Sequence, residues 1–215
     1  MSALLRPDDL RAAMLARGIE SLGLDLDADQ RQQLLDFIEL IAKWNRVHNL
    51  TAIRDPDAMV AHHILDSLSV VPHLDGKRIA DIGSGAGLPG IPVAVARPDC
   101  RVTLVESNGK KAAFLLQAVA ELGLENVTVV AARAEDFRPA EGFDCVLARA
   151  FADLGDFTRA TRHLLATGGA LFAMKGAYPR AELQRLPAGM RAVETVKLAV
   201  PQLDAERHLV IVRAD

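Results

Sequence analysis

Cysteine is scarce in this chain of 215 residues: only Cys100 and Cys145 occur, with no CxxC spacing and no histidine cluster beside either. That excludes a disulfide framework and a structural zinc site. Aromatic residues are nearly as sparse, at 4%, with one tryptophan and one tyrosine. Long apolar runs are missing as well. Every extended uncharged stretch is broken by Gly or Pro, so no transmembrane helix fits. Nor is there a surplus of positive charge, since 25 basic residues stand against 28 acidic ones for a net −3. Bulk electrostatic capture of naked nucleic acid is therefore not expected. The first ten residues carry Asp8 and Asp9 where a signal peptide needs a basic patch and an apolar run, so a cytoplasmic location is expected. What is present is a composition half hydrophobic and a quarter charged. This suits one globular domain, or one domain with an extension, and excludes a disordered chain.

Two charge regimes divide the sequence. Residues 1–76 hold seven basic and twelve acidic side chains, and residues 77–215 hold 18 and 16. The first part reads as helix. Leu10, Met14 and Leu22 with Ala13 and Leu15 form one apolar stripe closed by Gly23. Asp27 and Gln30 have capping-box spacing before a second, long amphipathic helix carrying Leu34, Leu35, Phe37, Ile38, Ile41 and Trp44. Asp55 and Pro56 open a third that runs to Pro72, with Met59, Val60, Ile64, Leu68 and Val71 on its apolar side. His62 and Asp66 on it are read as an i,i+4 pair.

After residue 77 the pattern changes to short β-rich runs separated by helical ones: 79–83, 102–106, 127–132, 145–150 and 170–174. Such alternation predicts right-handed βαβ units and a parallel sheet covered on both faces. The runs 192–200 and 207–213 are too close together for a crossover helix and predict an antiparallel hairpin. The expected fold class is α/β, a Rossmann-like, mostly parallel seven-stranded sheet ending in that hairpin. A helical subdomain (1–76) precedes the core (77–215).

The stretch GSGAGLPGIP (83–92) follows the first strand and opens a helix. Glycines allow a tight turn and close approach of a ligand, and a helix start adds oriented N–H groups. Gly85-x-Gly87-x-x-Gly90 also matches the dinucleotide fingerprint, so the loop alone leaves the ligand open. Glu106, ending the second strand, can accept from both hydroxyls of a ribose, as NAD and S-adenosylmethionine both require. Three features favour the latter: the helical preface before the loop, Ala134-Glu135-Asp136 after the third strand, where an adenine edge belongs, and the closing hairpin. Asp81 either braces the loop or contacts the ligand's amino group.

The residues carry a closer likeness. Trp44-Asn45 with Asn49-Leu50-Thr51, the run His63 to Leu68, the glycine loop, Val105-Glu106-Ser107 with Lys110-Lys111, Arg149-Ala150, Lys175-Gly176 and Glu206-Arg207-His208 together resemble the RsmG, or GidB, family. The resemblance spans about Gln30 to the C-terminus. It implies an S-adenosylmethionine-dependent enzyme that methylates N7 of a guanine in the 530 loop of bacterial 16S rRNA, at family position 527. It further implies that Gly83, Leu88, Ala134, Glu135 and Arg149 line the cofactor site, joined on the physical argument by Gly85, Gly87 and Glu106. An arginine at the carboxyl end of a parallel strand points into the ligand crevice.

N7 of guanine bears no proton, so attack needs no general base, and orientation supplies much of the rate. No catalytic acid or base is assigned. Lys175 and Arg207 are the candidates for orienting the acceptor. A cytosine C5 enzyme would need a cysteine beyond the fourth strand, whereas Cys145 falls early in it and packs in the core. An amino-methylating N6-adenine enzyme would carry Asn or Asp, Pro, Pro, aromatic where this chain has Ala148 to Phe151. Lys110, Lys111, Lys175, Arg207 and His208 are the candidate RNA contacts, the lysine pair being equally readable as a solvated helix start. No metal site is expected, since His62 and His63 are sequence neighbours on a helix. The expected partner is 16S rRNA in the small ribosomal subunit or a precursor, met by a monomer. The rivals are a nicotinamide-dependent oxidoreductase and a ribosome-binding module without activity.

Overall fold

A computed structural model describes residues 7–149 and 151–215. Residues 1–6 and Ala150 are outside it, and with them most of the segment read for a signal peptide and the last residue of the 145–150 run. Helices α1 (Pro7–Ser21) and α2 (Ala28–His48) come first. The capping box at the head of α2 is formed: Asp27 accepts from the Gln30 N–H at 2.8 Å and Gln30 accepts from the Asp27 N–H at 2.9 Å. Of the expected α1 stripe, Leu15 is buried and Met14 and Leu22 pack half-buried on the core, but Leu10 is 39% exposed and Ile19 takes its place among the buried residues. Gly18 lies on the same side, against Leu65; a Cβ there would lie 2.3 Å from a Leu65 methyl.

The third helix starts at Asp55 as expected but is not α-helical throughout. Asp55 caps α3 (Pro56–Met59), a π turn spans Val60–Leu65, and α4 (Asp66–Leu68) and a 3₁₀ turn (Val71–His73) follow. Single π turns inside helices are frequent at functional sites, and this one carries His62 and His63.

Seven strands follow: β1 (Arg78–Ile82), β2 (Arg101–Val105), β3 (Val127–Val130), β4 (Phe143–Arg149), β5 (Leu165–Lys175), β6 (Met190–Lys197) and β7 (His208–Ala214). Between them lie α5 (Gly90–Ala96), α6 (Gly109–Glu121), α7 (Leu154–Thr161) and the short α8 (Arg180–Leu183). The sheet order is β3-β2-β1-β4-β5-β7-β6, parallel through β5 and antiparallel at β7 and β6. Both the fold class and the hairpin are as predicted. Residues 131–142 hold turns and no helix, so the alternation lapses once.

Period-two alternation sorts the sheet's side chains. Ile79, Cys145, Leu147 and Phe172 join a cluster with α1, α2, α5 and α6, while Ala80, Ile82, Val146, Ala148 and Leu171 join another with Leu154 and Phe157 of α7. Cys145 is fully buried, as expected for a core position. Trp44 packs on the first cluster with its ring 5.4 Å from that of Phe114. The N-terminal helices thus share a core with one face of the sheet. Among the described residues no helix is long and apolar enough to cross a membrane, and no group of three or more His, Cys, Asp or Glu is placed to hold a metal.

Candidate active site

The sheet reverses direction of winding between β1 and β4, and ligands of open α/β sheets bind outside the carboxyl ends of the strands at that point. The loop leaving β1 turns through Gly83, Gly85 and Gly87, all with positive φ (66°, 56° and 79°). Glycine adopts that conformation without the steric cost any side chain brings. A Cβ on Gly83 would meet nothing within 4 Å, and on Gly85 only a carbonyl at 3.7 Å, so both α-carbons face open space. Leu88 is different. Its side chain is buried in the core, leaving its backbone as the part that can border a ligand.

Asp81 is wholly buried beneath this loop. Its Oδ2 accepts from the Gly90 N–H at 3.0 Å, while its Oδ1 has no hydrogen-bond partner among the described residues. Burial pushes this carboxyl up to about 7, against the pull of the Gly90 N–H and of Arg149. An orphaned buried carboxylate oxygen costs free energy unless something donates to it.

Glu106 follows β2 and is 6% exposed. Its Oε2 accepts from the Gly85 N–H at 2.9 Å and its Oε1 from the Asn108 N–H at 2.8 Å. A carboxylate offers about four lone-pair sites, so each oxygen keeps one free. Two neighbouring acceptors on one rigid carboxylate match the cis hydroxyls of a ribose. Ala134, after β3, is buried in the cluster that holds Ile82 and Val105, whereas the Glu135 side chain is exposed.

Arg149, the last residue of β4, has the parity of Cys145 and Leu147 and so faces the N-terminal helices. Its Nη1 donates to the carbonyl of His62 and to Asp66 Oδ2, both at 3.3 Å. Asp66 also accepts from Arg207 Nε, at 2.9 Å on Oδ1. The expected His62–Asp66 pairing is therefore replaced: both oxygens of Asp66 are taken by arginines from distant segments. A buried carboxylate is matched well by guanidiniums, which stay charged and present several N–H donors in one plane. His63 is buried, with Nε2 2.9 Å from Thr51 Oγ1 and Nδ1 without a hydrogen-bond partner among the described residues. Desolvation, with Arg149 nearby, lowers it to about 4, so it is neutral at physiological pH.

The remaining candidates do not share one environment. Lys175 is 9% exposed at its side chain, with Nζ 2.7 Å from Glu182 and 2.9 Å from the Phe151 carbonyl. His208 is buried, with Nδ1 3.2 Å from the Gly176 carbonyl and its ring edge-on to Tyr178. Arg207 lies just before β7 rather than opening it, and its side chain is 24% exposed. Lys110 and Lys111 occupy the first turn of α6, their N–H groups capped by Asn108 Oδ1 at 3.0 and 3.2 Å. Sequence reasoning missed Asp66 as the meeting point of two arginines. The available signal was an acid set among the apolar residues Ile64, Leu65 and Leu68 of a core-facing helix.

A family described as "GidB: rRNA small subunit methyltransferase G" matches residues 30–210. The chain belongs to this family. Curated relatives named "Ribosomal RNA small subunit methyltransferase G" include one from Nitrosospira multiformis, 55% identical over 94% of this chain and 97% of that protein. Another, from Burkholderia multivorans, is 52% identical over 96% and 94%. Among solved structures, a glycopeptide N-methyltransferase complexed with S-adenosylhomocysteine superposes with a TM-score of 0.62 at 11% identity, covering 72% of this chain and 88% of that one. A methyltransferase from Aquifex aeolicus gives 0.58 at 16%, covering 76% and 96%. These two establish the fold: a class I methyltransferase sheet. Family membership makes the chain a methyltransferase.

Proposed function

We propose that this chain is a cytoplasmic, S-adenosylmethionine-dependent enzyme that methylates N7 of a guanine in the 530 loop of 16S rRNA, within the small ribosomal subunit or a precursor. Membership of the family supports the acceptor class. The observation that carries the cofactor reading is Glu106, which reaches back to the glycine loop at Gly85 and still keeps two free acceptor sites beside it.

The donor set fits that cofactor. Glu106 would take the ribose hydroxyls, Ala134 and Glu135 would border the adenine, and Gly83, Gly85 and the Leu88 backbone would let the amino-acid portion approach, while Gly87, expected among them, instead packs its α-carbon against Ile91 and Leu115 and serves the turn. The orphaned Asp81 Oδ1 suits a cationic amino group, and Arg149 stands at the mouth. When bound, S-adenosylmethionine supplies an electrophilic methyl on a sulfonium. Guanine N7 presents an in-plane lone pair and loses no proton, so the protein's task is alignment and exclusion of water.

One test is direct. Purified enzyme with tritiated cofactor should label small subunits from a strain lacking the methyltransferase, and label should map to one guanine. No binding of S-adenosylhomocysteine together with tight binding of NAD would instead favour the oxidoreductase, and subunit binding without label would favour an inactive module. Asp81 gives a second check. Its carboxyl must ionise to meet an ammonium, so affinity for S-adenosylhomocysteine should rise from pH 6 to pH 8 through the value of about 7, by about tenfold. In Asp81→Asn that rise should vanish, as read by calorimetric titration.

A further inference from the structure

We propose that Asp66 is a positioning residue that seats the guanidiniums of Arg149 and Arg207 as a preformed fork for one phosphodiester of the RNA strand carrying the target guanine, an inference that rests on the RNA-methylation reading above. Three distant segments converge here. Asp66 belongs to the N-terminal helices, Arg149 ends β4 and Arg207 precedes β7. Register explains why the two arginines meet: Arg149 pairs with Met174 on β5, and Met174 pairs with Leu209 on β7. The two arginines therefore leave the same edge of the sheet two strands and two residues apart, about 12 Å at the backbone. That edge is the one bearing the glycine loop.

The charge count is unequal. A single carboxylate, 4% exposed, serves two guanidiniums that are 23% and 24% exposed. Within these ion pairs one positive charge is left over. Hydrogen-bonding capacity is left over too: Arg207 uses Nε toward Asp66 and Nη1 toward the Glu206 carbonyl, and Arg149 uses only Nη1. Arg207 Nη2 and Arg149 Nε and Nη2 make no hydrogen bond within the described residues. Guanidinium N–H groups in a fixed plane match phosphate oxygens bidentately. Without Asp66 the two cations would repel and separate, and the ordering cost would fall on RNA binding.

The alternative, that Asp66 merely offsets positive charge, predicts the opposite sign. Removing a negative charge beside two arginines would then strengthen RNA binding. The experiment uses Asp66→Asn in the full chain, with S-adenosylhomocysteine affinity, small-subunit affinity by filter binding in its presence, and steady-state methylation. Expected is a KM for subunits raised about tenfold or more, weaker filter binding to match, and S-adenosylhomocysteine affinity within about threefold, since the His62 carbonyl still holds Arg149. Asp66→Glu should recover part of the loss. An unchanged or lower KM overturns the proposal, as does lost S-adenosylhomocysteine affinity with subunit binding intact. Should Asp66→Asn not fold, Arg207→Lys decides: it keeps the charge without the fork, and an unchanged subunit KM overturns the proposal. Filter binding needs no turnover, so a wild type that binds subunits without methylating them would refute the activity and leave this fork to be judged by the variants.

Discussion

Replacing Glu106 with Ala is expected to weaken S-adenosylhomocysteine binding by about a hundredfold or more, measured by calorimetry at neutral pH. Two charge-assisted hydrogen bonds to a ribose would be lost, each worth about 1.5–3 kcal/mol. The N–H groups of Gly85 and Asn108, now accepted by Glu106 at 2.9 and 2.8 Å, would lose their partner as well. The loop would then be free to leave the conformation that keeps Gly83 and Gly85 facing open space. Glu106→Gln keeps the shape but puts an NH2 donor where one oxygen accepts a backbone N–H, so its affinity should fall between those of the wild type and Glu106→Ala. A change of less than threefold in Glu106→Ala would show that the ribose is held elsewhere.

The second large effect is on the fold. Gly90→Ala should lower the thermal midpoint by about 6–12 °C, corresponding to about 3 kcal/mol of overpacking in a chain of this size. A Cβ at that position would lie 2.3 Å from a Leu104 methyl, 2.7 Å from Asp81 Oδ2 and 2.9 Å from Asp81 Cβ. Leu104 and Asp81 are both fully buried, so neither can swing into solvent. Displacing Asp81 would also break its bond from the Gly90 N–H, and S-adenosylhomocysteine affinity should drop with stability. Gly123→Ala is the control. Gly123 has a positive φ of 64° and nothing within 4 Å of a Cβ, so only backbone strain of about 1–2 kcal/mol is at stake. Equal melting shifts in the two variants would mean that the contacts around Gly90 relax easily.

The sheet was legible because its strands advertise themselves. β1, β2 and β4 are short runs rich in Ile, Val and Leu, interrupted only by Asp81, Thr103 and Asp144 and followed or ended by a glycine, an acid and an arginine, and the short gap between the last two runs left only a hairpin. The glycine loop and Glu106 could be placed at one edge by the same reasoning. The helical layer was less legible. Periodicity drew a single helix from Asp55 to Pro72, because apolar residues are dense enough there to fill an inward face even where a π turn shifts the spacing and the hydrogen-bond ladder. Pairwise rules along a helix also put Asp66 with His62, whereas long-range partners 83 and 141 residues away decide its contacts. Exposure misled in another way. Lys175 and His208 are polar side chains at the ligand edge, yet Glu182 and the Gly176 carbonyl engage them, something no local pattern encodes.

The placement of β7 has a consequence for synthesis. It is the last strand in sequence but the sixth in the sheet, hydrogen-bonded to β5 on one side and β6 on the other. On a ribosome releasing the chain from its N-terminal end, β5 shows a bare edge and β6 has no neighbour until residues 208–214 emerge. The glycine loop and Glu106 are by then already translated. Arg207 arrives with β7, so the two halves of the site are completed at different times. Released chains truncated before residue 208 should therefore bind holdase chaperones through that unpaired edge, whereas the full chain, with its hairpin closed, should not.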